Sequence, residues 1–80
     1  MTNKRYSTRK RIFKAGSISF AYASSIDCTI RNISDDGAML EVESIVGIPD
    51  DFKLLNKTDR VLRGCHVIWR QAKRLGVHFV

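Results

Sequence analysis

The sequence predicts an all-β domain, a six-stranded antiparallel β-barrel, on three observations. Apolar residues recur at period two over six short stretches, turn-forming residues separate them at short spacing, and no stretch carries the pattern of an amphipathic helix. Eighty residues make one such domain, near the size at which burial of apolar surface barely offsets the entropy lost on folding. A second core or a deep substrate cavity does not fit.

The strands follow in order. From Lys14 onward, Gly16, Ile18, Phe20 and Tyr22 alternate with Ser17, Ser19 and Ala21, and "ASS" then turns the chain. Ile26, Cys28 and Ile30 share the inward face of the second strand, with Asp27, Thr29 and Arg31 outward. In the third, Ala38, Leu40 and Val42 face one way and Met39, Glu41 and Glu43 the other. "SIVGIPDD" carries Gly47 and Pro49 and reads as a connection across one end of the barrel. "FKLLN" is a short fourth strand and "KTDR" a turn. "VLRGCHVIWR" is the longest strand, with Val61, Cys65, Val67 and Trp69 expected on one face. After "QAK", the last strand "RLGVHFV" turns Leu75, Val77 and Phe79 inward. Residues 1 to 13 form a basic arm, expected to be flexible because its first eleven residues show no periodicity and hold Tyr6 as their one aromatic side chain. The barrel domain is 14 to 80.

Net charge is +6, and its distribution is uneven. Residues 1 to 14 hold six basic side chains and no acid, residues 15 to 59 three basic and eight acidic, and residues 60 to 80 five basic and no acid. Cationic ends around an acidic middle suit a phosphate-bearing partner. Nonspecific nucleic-acid binding is not expected, because few aromatics stand at stacking spacing. Cys28 and Cys65 show neither a disulfide-scaffold count nor CxxC spacing, so they read as small core side chains of a reducing, cytoplasmic setting. No apolar run is long enough to span a bilayer, and "MTNKRYSTRKR" lacks the hydrophobic segment of a signal peptide, so no membrane partner is expected.

Catalysis has little to work with. His66 and His78 stand on the last two strands without ligand spacing, and the acid pairs Asp35-Asp36 and Asp50-Asp51 sit in turns, where adjacent side chains point apart. Neither a placed nucleophile nor a metal set can be read, and a non-enzyme without a cofactor is expected.

Binding has more. "RYSTR" places Arg5 and Arg9 four apart, and guanidinium forks suit phosphates and the O6/N7 edge of guanine. "RNISDDGAML" enters a strand through a turn rich in polar side chains. Asn32 and Ser34 alternate from Ile30 and can present an amide and a hydroxyl at the strand's end, and Gly37 is expected to supply a positive φ.

"RYSTR" followed by "NISDDG" resembles the RxxxR and (D/N)xSxxG pair of the PilZ family, whose members bind the bacterial second messenger cyclic di-GMP. "IDCTIRNIS", "GIPDDF", "CHVIWR" and "LGVHF" are similar to the strand sequences of its short, single-domain members, so the resemblance covers nearly the whole chain. It implies a cyclic di-GMP receptor in which Arg5 and Arg9 grip phosphate and guanine, Asn32 and Ser34 hydrogen-bond a guanine base, and Gly37 sets the turn beneath the ligand. Lys4, Arg11 and Asp36 are additional candidate contacts, with Arg9 ranked ahead of Arg11 by the motif's spacing. A downstream effector protein is the implied partner. The alternative is a degenerate module of the same fold that binds a protein and has little or no affinity for nucleotide. PilZ domains often carry a helix after the last strand and this sequence shows none, which implies an open apolar barrel mouth and a candidate homodimer contact.

Overall fold

The computed structural model describes residues 10–21 and 24–80. Six strands form: β1 (Lys10–Phe20), β2 (Ser24–Ile33), β3 (Gly37–Glu41), β4 (Asp51–Asn56), β5 (Val61–Gln71) and β6 (Arg74–Phe79). They close into an antiparallel barrel in the ring order β1-β2-β3-β6-β5-β4, as the sequence predicts. No helix forms among the described residues, so none there is long and apolar enough to cross a membrane.

The six largest fully buried side chains come one from each strand: Ile18, Ile30, Leu40, Leu54, Cys65 and Leu75. Each strand thus delivers one residue to the centre, which is how a narrow barrel fills its interior with side chains. Burial disfavours the thiolate, pushing the Cys28 pKa up to about 12 and that of Cys65 to about 11. Both cysteines are free and packed as apolar groups.

In this ring β3 and β4 stand opposite one another, so their connection must cross an end of the barrel. Ile48 on that connection is buried in the core and Ile45 packs against it. Arg70 holds the crossing in place, donating to the Ile48 carbonyl at 2.7 Å and to Asp50 Oδ1 at 2.7 Å. The connection therefore fills one end of the barrel. An apolar hollow of about 450 Å³ remains beside it, with Phe20, Phe52, Cys65 and Val80 among its lining side chains.

Two expectations need correcting. First, β1 begins at Lys10, so the boundary drawn between residues 13 and 14 falls inside a strand. Backbone pairing of Lys10 with Ile33 and of Arg11 with Asn32 extends β1 to the far end of β2, which apolar alternation alone does not reveal. Second, Val61 and Trp69 do not join Cys65 and Val67 inside; both are exposed. Val61 opens its strand next to a turn. For Trp69 the cause is a shift of the β5–β6 register: Val67 pairs with Val77 and Trp69 with Gly76, so Ile68 is an extra residue that turns Trp69 to the outer surface. Tyr22 lies outside the described residues.

Glu41 carries an ion-pair network on the outer wall. Its carboxylate accepts from Arg31 at 2.8 Å and lies 3.5 Å from Arg74 Nε, while the Arg31 guanidinium covers the Phe13 ring at 4.3 Å. The hydrogen bond from Arg31 holds the Glu41 pKa below its ordinary value of 4.5. A carboxylate with a depressed folded pKa stabilises the fold above its unfolded value, and the stabilisation is lost as pH falls through the folded one. Melting curves between pH 6 and pH 2 should therefore show Glu41→Gln converging on the wild type in acid, with the remaining gap at neutral pH narrowing in salt.

Candidate functional site

Asn32, Ser34, Asp36 and Gly37 line one cleft of about 160 Å³ on the outer wall, together with Trp69 and His78. Four adjacent strands of the ring, β2, β3, β6 and β5, supply it. The central pair is regular, with Gly37 to Glu41 running against His78 to Arg74. Each flanking strand is bulged.

The bulge in β2 explains Asn32. By alternation Asn32 belongs with Cys28 and Ile30 on the core face. Ile30 pairs with Leu40 and Asn32 with Met39, so Arg31 is one residue too many and Asn32 swings out to the cleft. The Trp69 bulge in β5 does the same on the far side. Two register shifts thus aim an amide and an indole at one hollow.

The turn between β2 and β3 organises itself. Ser34 N–H donates to the Gly37 carbonyl at 2.8 Å, and Ser34 Oγ accepts from the backbone N–H groups of Asp36 and Gly37, each at 3.3 Å. Those two bonds occupy the lone pairs of the hydroxyl, so what it can still offer a ligand is its proton, now directed 3.4 Å toward the Gly37 carbonyl. The turn is also fastened to β6, where Phe79 N–H donates to the Asp36 carbonyl at 2.7 Å. Ser34 thus shapes the loop as well as lining the cleft.

Gly37 corrects its expected role. Among the described residues the positive-φ glycine is Gly47, at 85°, and Gly37 is not strained in that sense. Its requirement is close approach: a Cβ there would collide with the Val77 carbonyl oxygen and lie 3.3 Å from the His78 Cα. β3 can lie against β6 at this point only without a side chain.

Trp69 is the residue that sequence reasoning missed at this site. Its indole lies over Gly76, where a Cβ would collide with Nε1, and the residue remains 41% exposed. The glycine leaves room for the ring, and the outer ring face is open to a planar partner. Gly76→Ala should displace the indole, with a shift in the emission of this single tryptophan and a stability loss of about 1 kcal/mol. Unchanged emission would show that the ring does not rest on Gly76.

The other candidates fall in two places. Arg11 stands on β1 opposite Asn32, at the cleft's edge. Lys4, Arg5 and Arg9 lie outside the described residues.

The histidines are exposed and face each other across β5 and β6, with His66 Nδ1 lying 2.8 Å from Asp51 Oδ1. Among the described residues no group of three His, Cys, Asp or Glu side chains is arranged to hold a metal ion. Neither protein-family models nor curated proteins give a significant match to the chain.

Proposed function

We propose that this protein is a non-catalytic receptor for cyclic di-GMP, of the PilZ type, that changes the surface it shows to an effector protein when the dinucleotide binds. The observation that carries it is the gathering of one motif's polar residues in a single cleft. "NISDDG" contributes Asn32, Ser34, Asp36 and Gly37 to it. The cleft offers a half-buried amide for a base edge and an exposed aromatic face.

Calorimetric titration with cyclic di-GMP, GMP and single-stranded DNA tests the proposal. Saturation by cyclic di-GMP at micromolar concentration or below, with at least roughly a hundredfold weaker GMP binding and no saturable DNA binding, is the expected result. No heat from cyclic di-GMP with the protein folded would overturn it in favour of the protein-interaction module. The exposed Leu62, Ile68 and Val80 are surface that such a module would use.

A further inference from the structure

A second hollow, of about 570 Å³, adjoins the cleft. Met39 and Trp69 line both, so the two are chambers of one surface divided by these side chains. The second chamber is bounded by Glu41 and by Gln71, Ala72, Lys73 and Arg74 of the β5–β6 turn.

Its electrostatics favour an anion. The Glu41 carboxylate is the acid in the lining and is already shared by Arg31 and Arg74. Among the described residues no carboxylate forms an ion pair with Lys73. Arg31, Lys73 and Arg74 together set three positive charges against one negative.

The turn that presents them is held in shape. Gln71 pairs with Arg74, leaving a two-residue loop in which Ala72 adopts φ 55°, a conformation that L-residues with a Cβ seldom take. Val42 N–H donates to the Lys73 carbonyl at 2.8 Å and ties the loop to the end of β3. The backbone carrying Lys73 and Arg74 is therefore positioned before any ligand arrives.

We infer that this hollow is a second ligand chamber, in which Lys73 and Arg74 hold a phosphate of a dinucleotide whose near base occupies the Asn32 cleft beside Trp69. The inference rests on the receptor reading and extends it to the source of selectivity. Asn32 stands opposite Met39 and Arg74 opposite Glu41, so the two polar ends lie about 7 Å apart along the strand direction and two strands apart across the sheet. A dinucleotide with one base at Asn32 carries a second phosphate that a mononucleotide lacks, and this chamber is where that phosphate is held.

Amide NMR titrations of the full chain with cyclic di-GMP and with GMP test it, alongside the exposed double variant Lys73→Gln/Arg74→Gln. Cyclic di-GMP should move the amides of residues 34–37 and 71–74, and GMP only the first group. The double variant should bind cyclic di-GMP roughly tenfold more weakly with GMP affinity unchanged. Shifts from cyclic di-GMP confined to 34–37, or a double variant that binds it like the wild type, would overturn the second chamber and leave the receptor standing. No shift at either place would overturn both.

Discussion

Gly37→Ala is expected to lower the unfolding free energy by about 3 kcal/mol, because its Cβ meets backbone and no side chain can move to make room. In a domain of this size that corresponds to a fall of ~15 °C in melting temperature. The β3–β6 pairing must open at this point, and the cleft that rests on it should lose its shape. Gly47→Ala is the contrasting control. Gly47 has φ 85° with nothing near its Cβ position, so substitution costs only the left-handed conformation, about 1 kcal/mol, and leaves the cleft alone. Thermal melts of the two variants decide the matter. Equal losses would mean that close approach is not what selects glycine at residue 37.

Arg9→Ala is expected to cost about 2 kcal/mol or more of cyclic di-GMP affinity, roughly thirtyfold, through loss of a charged fork to phosphate or guanine. Stability should hardly change. Asn32→Ala removes a neutral hydrogen bond and should cost closer to 1 kcal/mol while weakening the preference for guanine over adenine. Ser34→Ala should behave differently from both, since its hydroxyl accepts two backbone N–H groups of the turn, and it should lose stability along with affinity. Salt separates the classes further. Affinity of the wild type should fall with ionic strength, and the Arg9→Ala protein should show the shallower dependence. Calorimetry at two salt concentrations reads all of this, and unchanged binding in the folded Arg9→Ala and Asn32→Ala proteins would place the ligand elsewhere.

The strands were legible because burial on one face writes a period of two into the sequence, and the inward sets around Ile18, Ile30, Leu40 and Leu75 are buried as alternation predicts. The polar residues of the cleft were legible too, since Asn32, Ser34 and Gly37 stand out by residue type. Trp69 was not. Alternation assigns it to the core, and only the pairing of Val67 with Val77 and of Trp69 with Gly76 reveals the extra residue between them. A bulge is a relation between two strands, so neither strand's sequence shows it alone. The same holds for Gly37 and Gly76: the reason for glycine lies in what packs opposite, Val77 in one case and Trp69 in the other. One hint was available, because a tryptophan and a glycine near the facing ends of adjacent strands can cover one another.

The ring order has a consequence for how the site comes into being. β1 to β3 and β4 to β6 are two hairpin-linked triplets, joined by the connection that crosses the barrel and sealed along two seams, β1 against β4 and β3 against β6. The cleft lies on the second seam, with Asn32 and Gly37 from one triplet and Trp69 and His78 from the other. Neither triplet owns the site. It exists only once the seam has closed, and that closure joins residues far apart in the chain, the kind of pairing that forms slowly. A ligand that bound there, as proposed, would act as a stitch between the halves, adding stability in proportion to the logarithm of its concentration over its dissociation constant. A chain cut within the 42–50 crossing would leave two pieces that each lack half a site, and the ligand would favour their reunion.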